Sequence, residues 1–118
     1  MLASIPIEEF DTTPTVHFDY DDAFGRSRRG VVIHHDGDFF AFRNLCPHWS
    51  TPLDEDGPGL FDPATSELVC QTHGARFELT TGRCTTGPCR GQSLESLSVD
   101  VDDEDNRVVI RRGELKFG

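Results

Sequence analysis

The 118-residue sequence has no apolar run approaching the ~20 residues that a membrane-spanning helix needs. Its opening, Met1-Leu2-Ala3-Ser4-Ile5-Pro6-Ile7-Glu8-Glu9, offers no basic segment followed by a long apolar one. No secretory signal is therefore expected, and the expected compartment is the cytoplasm. Basic residues are scarce: 11 Lys and Arg stand against 21 Asp and Glu, a formal net charge of −10. That balance argues against a nucleic-acid binder, which needs a basic face for phosphates, and against docking on an anionic membrane. No segment carries a sustained 3.6-residue apolar period, and there are no internal repeats or low-complexity tracts, so no helix is expected. Cysteines number only four, and in a reducing compartment they point to metal or redox chemistry before structural disulfides. What remains is a globular composition, 36% hydrophobic and 27% charged, on a chain of single-domain length with a modest core.

The residues present read as short strands and frequent turns, an all-β class. Residues 2–10 predict a short edge strand with Pro6 near its start, then a turn. Val16, Phe18 and Tyr20 alternate as in a half-buried strand. Val31-Val32-Ile33-His34-His35 and Phe39-Phe40-Ala41-Phe42 flank Asp36-Gly37, a dipeptide suited to a two-residue hairpin turn. Residues 50–66 and 82–93 read as loop. Glu67-Leu68-Val69-Cys70 and Arg76-Phe77-Glu78-Leu79 predict two short strands. Leu97, Val99 and Val101 predict a half-buried strand, and 107–111 its hairpin partner across Asp103-Glu104-Asp105-Asn106.

Two cassettes interrupt this scaffold. Cys46-Pro47-His48 follows one predicted strand, and Cys70-Gln71-Thr72-His73 joins two others after 21 intervening residues. Each offers a thiolate and an imidazole at a strand end, where a scaffold can place ligands. Pro47 and Gly74 suit tight backbone paths. Two Cys and two His hold either one zinc ion or one [2Fe–2S] cluster in which His₂ replaces Cys₂ on one iron. Zinc fingers pair a Cys knuckle with a His helix, whereas here Cys and His are mixed in each cassette and no helix follows.

Asn44-Leu45-Cys46-Pro47-His48 with Cys70-Gln71-Thr72-His73-Gly74-Ala75-Arg76-Phe77 resembles the Rieske [2Fe–2S] domain. The likeness extends to Asp36-Gly37, Ala41-Phe42, Thr81-Gly82 and Gly87-Pro88-Cys89. It implies stacked antiparallel β-sheets in one domain over 1–118. A small cluster-binding subdomain, approximately 45–90, would be inserted in a larger base formed by 1–44 and 91–118. It implies that Cys46 and Cys70 bind one iron and His48 and His73 the other, redox-active one. The inter-cassette spacing is somewhat longer than in ferredoxin-type members, with the excess placed in 54–63, where a loop grows at little cost.

Members of high potential carry one further Cys in each loop, joined as a disulfide, and Ser and Tyr hydroxyls that donate to cluster sulfurs. Here Thr51 and Thr72 stand at the disulfide positions, and Ala75 and Phe77 at the hydroxyl positions. Hydrogen bonds to sulfur favour the reduced cluster, so their absence predicts a low potential, roughly −150 mV.

The resemblance implies a one-electron carrier of the ferredoxin type, passing electrons from a flavin reductase to an oxygenase. Alternatives are the small Rieske subunit of a larger, nitrite-reductase-like complex, a redox sensor and a zinc-stabilised interaction module. A catalytic oxygenase would need a second iron site on a large further domain, for which this chain has neither residues nor room. Cys84 and Cys89 read as buried or free thiols in preference to a pair. His17, His34 and His35 read as sheet residues, and Trp49 as a cluster shield, a docking-surface residue or packing beneath the loop. Arg76, Arg83 and Arg90 against Glu78 leave 68–92 less acidic than the rest, read as a docking tip or as an ordinary solvated mixture.

Overall fold

Alternating β-branched and aromatic residues yield ten strands in a computed structural model that describes residues 2–47, 52–53, 60–70, 74–87 and 91–112. They are β1 (Ala3–Pro6), β2 (Thr15–Asp21), β3 (Ser27–His35), β4 (Asp38–Arg43), β5 (Phe61–Asp62), β6 (Glu67–Val69), β7 (Arg76–Glu78), β8 (Cys84–Thr86), β9 (Ser96–Asp102) and β10 (Arg107–Arg111). The order is β1-β10-β9-β4-β3-β2 in one sheet and β5-β6-β7-β8 in a second, with every pairing antiparallel. The chain divides into two compact units: one from the segments up to Arg43 and from Ser96 on, the other Asn44–Glu95.

In the first unit, Asp36 and Gly37 take φ of 52° and 81°, the paired positive values of the hairpin turn that joins β3 to β4. β9 pairs with β4 through Leu97 and Ser96, and with β10 through its later residues, so one strand links two ladders. The core gathers Ile5, Phe10, Tyr20, Val32, Ala41, Leu97, Val108 and Ile110. Burying each large apolar side chain contributes about 1.5–3 kcal/mol. In β3, Val31, Val32 and Ile33 are all buried, so both faces of that stretch are covered.

The second unit carries a regular small sheet. Phe61, Leu68, Phe77 and Cys84 lie in register across its four strands and form a buried row. The opposite face sets Asp62 beside Glu67 and Glu67 beside Glu78.

Several sequence expectations are revised. Ile7–Asp11 forms a 3₁₀ turn. Its Ile7 and Phe10, three apart, both pack on the core, a spacing too brief to register as a helical period. Pro6 closes β1 instead of opening it, and β1 is an edge strand as predicted. β5 and β8 lie in stretches read as loop, being too short for alternation to show. Val101 is 42% exposed, not half-buried, where β9 runs toward its turn. Among the described residues, no helix is long and apolar enough to cross a membrane.

Candidate metal centre

The first cassette leaves β4 through Asn44, a buried polar side chain at 4% exposure. Its Oδ1 accepts the backbone N–H of Leu53 at 2.8 Å, a bond that spans nine residues and clips the two ends of the cassette stretch together. Burial strengthens such a bond and makes its loss costly. Between the clipped ends Cys46 is 0% exposed. His48, Trp49 and Thr51 lie outside the described residues.

The second cassette starts where β6 ends. Cys70 is also 0% exposed. Its N–H donates to the carbonyl of Ala75 at 2.8 Å, and Gly74 N–H donates back to the Cys70 carbonyl at 2.8 Å. Gly74 reaches this second bond with φ of 71°, a left-handed conformation that glycine adopts without strain. The two bonds close a six-residue turn joining β6 to β7. Gln71, Thr72 and His73 lie outside the described residues.

Behind the turn, Ala75 and Phe77 are completely buried. These two side chains are thus a methyl group and a phenyl ring inside the unit, with no hydroxyl on either. Gly87, just past β8, packs its backbone against Ala75: a Cβ there would lie 2.8 Å from Ala75 Cα. Sequence reading placed Gly87 in the resemblance but not this contact, which joins residues twelve apart in the chain.

Charge around the turn is paired. Arg76 Nη1 donates to Asp62 Oδ2 at 3.2 Å and to Glu67 Oε1 at 3.3 Å. The Arg76 hydrogen bond, then the Ala64 N–H, hold the Asp62 carboxyl below its usual value. Asp62 in turn holds the Arg76 guanidinium above its own. Arg76 is therefore engaged by two carboxylates in a surface network, as in the solvated-mixture reading, and is not a spare cation for docking. Arg83 is exposed, and Arg90 lies outside the described residues.

Cys84 is buried in the small sheet with Sγ donating to the Thr86 carbonyl at 3.3 Å; Cys89 lies outside the described residues. The other histidines sit in the first unit. His34 stacks on Phe39 at 4.5 Å between ring centroids, His35 lies beside Asp36, and His17 is exposed on β2.

Two cysteine side chains, each wholly excluded from water and each held at a hydrogen-bonded loop end, are the donor type an iron–sulfur cluster takes. The described part of the donor set therefore fits a [2Fe–2S] centre.

The model of the family described as "Rieske [2Fe-2S] domain" matches residues 12–113. The chain is 35% identical over 66 residues to the ferredoxin component of the p-cumate 2,3-dioxygenase system of Pseudomonas putida, covering 56% of this chain and 52% of that one. It is 30% identical over 78 residues to the Rieske iron-sulfur subunit of the Corynebacterium glutamicum cytochrome bc1 complex, covering 65% of this chain and 18% of the subunit. In both cases the match spans only part of the relative's length. Among solved structures, the ferredoxin of carbazole 1,9a-dioxygenase from Nocardioides aromaticivorans superposes with a TM-score of 0.72 at 25% identity, over 95% of each chain. The chain belongs to the Rieske [2Fe–2S] domain family, and a [2Fe–2S] cluster is its cofactor.

Proposed function

We propose that this protein is a low-potential, one-electron carrier of the ferredoxin type that works in the cytoplasm between a flavin reductase and an oxygenase. The observation that carries the reading is the end-to-end likeness to a dioxygenase ferredoxin, 95% of each chain, which a subunit-sized partial match does not give. In this reading Cys46 and Cys70 bind one iron, His48 and His73 the other, and the unit Asn44–Glu95 is the cluster-binding subdomain of a single Rieske domain. When bound, the cluster takes up and releases one electron.

The chain's own residues hold that site. Asn44 clips the first loop, and the Cys70–Ala75 bonds close the second. Ala75 and Phe77 bury apolar groups behind the turn and supply no hydroxyl to sulfur, which keeps the potential low. Redox contacts of this kind are small and transient.

The test is anaerobic potentiometry with EPR on the purified protein, followed by mixing the reduced protein with candidate oxygenases. A midpoint of roughly −150 mV and reoxidation by an oxygenase support the proposal. A clearly positive midpoint overturns the low-potential assignment, and a colourless, zinc-containing protein overturns the carrier.

A further inference from the structure

On the outer face of the small sheet, three carboxylates stand in line on adjacent strands: Asp62 on β5, Glu67 on β6 and Glu78 on β7. Like charges directly opposite one another weaken a strand pair. Glu78 is occupied by the Thr80 hydroxyl, which donates to its Oε1 at 2.8 Å. Asp62 and Glu67 are held by Arg76, which sits diagonal to Glu67 across the β6–β7 pair.

All three side-chain bonds of Arg76 come from one nitrogen. Nη1 reaches Asp62 Oδ2 at 3.2 Å, Thr65 Oγ1 at 3.2 Å and Glu67 Oε1 at 3.3 Å. The fourth strand joins through Thr85. β8 slips register there, pairing Thr86 with Arg76 and Cys84 with Phe77, and so leaves Thr85 as the bulged residue. Its hydroxyl donates to Glu67 Oε2 at 2.8 Å and lies 3.4 Å from the Arg76 carbonyl. One cation and one hydroxyl thus span β5, β6, β7 and β8, at the root of the hairpin whose tip is the Cys70–Ala75 turn.

We propose that Arg76 is a positioning residue for the second metal-binding loop: by offsetting the facing Asp62 and Glu67 carboxylates it fixes the strand register that presents Cys70. This rests on the carrier reading, in which Cys70 is a ligand. Loss of the cation leaves two carboxylates facing each other at the base of the loop, so the hairpin splays and the ligand geometry loosens. Because a single nitrogen serves as a point charge and no two-pronged fork is used, lysine is expected to substitute in large part.

The experiment compares holoprotein of wild type, Arg76→Met, Arg76→Lys and the double variant Arg76→Met/Glu67→Gln. It reads the EPR and visible circular-dichroism signals and the rate of cluster loss to an iron chelator. Arg76→Met is expected to broaden or shift the EPR signal and to lose the cluster about fivefold faster, the factor given by one favourable surface ion pair. Arg76→Lys and the double variant are expected to return to within about twofold of wild type, because each removes the uncompensated facing charge. Should Arg76→Met give no soluble holoprotein, recovery of it by the added Glu67→Gln supports the proposal, and no recovery overturns it. An Arg76→Met signal and loss rate equal to wild type overturn it, as does a double variant that behaves like the single one. A wild type without an iron–sulfur signal instead fails the carrier reading itself.

Discussion

Asn44 and Leu53 share one buried hydrogen bond, and the first cassette hangs between them. Asn44→Ala leaves a buried N–H with no acceptor, a loss of about 1–3 kcal/mol. A lowered denaturant midpoint with an unchanged slope checks it; an unchanged midpoint would mean that water reaches the Leu53 amide. In the proposed reading Ala75 and Phe77 act on the potential instead. A hydroxyl at either position that reaches a cluster sulfur favours the reduced state. Ala75→Ser and Phe77→Tyr are each expected to raise the midpoint by about 60 mV, the one-electron equivalent of ~1.4 kcal/mol. Potentiometry on the two variants decides, and no shift in either means that these side chains do not border the sulfurs. That Ala75 and Phe77 carry no hydroxyl was legible in the sequence, because identity alone carries that. The sequence did not show the Asn44 clip, because an acceptor is recognisable only once its donor, nine residues away, is in place.

Among elements, length helped without deciding: β6 and β7, three residues each, were legible beside the cassettes, and β8, equally short, was not. β2, β3, β4, β9 and β10 have five or more residues, enough for alternation to declare a strand. β5 and β8 have two and three residues and exist because the buried row Phe61–Leu68–Phe77–Cys84 recruits them, a tertiary cause with no local trace. The turn Asp36-Gly37 was readable because its chemistry is local, whereas the bulged Thr85 meets a side chain on β6 and a backbone carbonyl on β7, both distant in sequence. The segment after β8 gives a controlled test of packing against the second cassette. Gly87 and Gly91 both take positive φ, 107° and 93°. A Cβ at Gly87 meets Ala75 Cα at 2.8 Å, while one at Gly91 meets nothing within 4 Å. Both alanine variants carry a backbone strain of about 1–2 kcal/mol. Only Gly87→Ala is expected to alter the EPR signal and speed cluster loss beyond what strain explains. Equal behaviour of the two variants would show that the Gly87–Ala75 contact does not transmit to the site.

For the whole molecule, a charge of −10 makes acid the informative stress. Among the described residues, each unit contains one carboxylate shifted downward by specific bonds. In the first unit, Asp22 is lowered chiefly by the Arg26 N–H, with the Phe24 N–H and the Arg28 guanidinium adding to it. In the second, Asp62 is lowered chiefly by Arg76. A carboxyl whose folded value lies below its ordinary 3.8 binds protons less readily when folded than when unfolded. Its contribution to stability is therefore complete above that ordinary value and disappears as pH falls through the lowered one. Protonating the remaining acids relieves repulsion over the same range, so the net acid limb mixes a loss with a gain. Substitution separates them. Asp22→Asn and Asp62→Asn are each expected to lower stability at neutral pH, with the deficit against wild type shrinking toward zero as the medium is acidified below about 3.8. Denaturant melts across pH give that difference directly. Amide exchange assigns it, with protection falling in the strands flanking 22–26 for one variant and in β5–β7 for the other. A deficit that stays constant down to the acid transition would show that these two side chains matter through packing and not through charge.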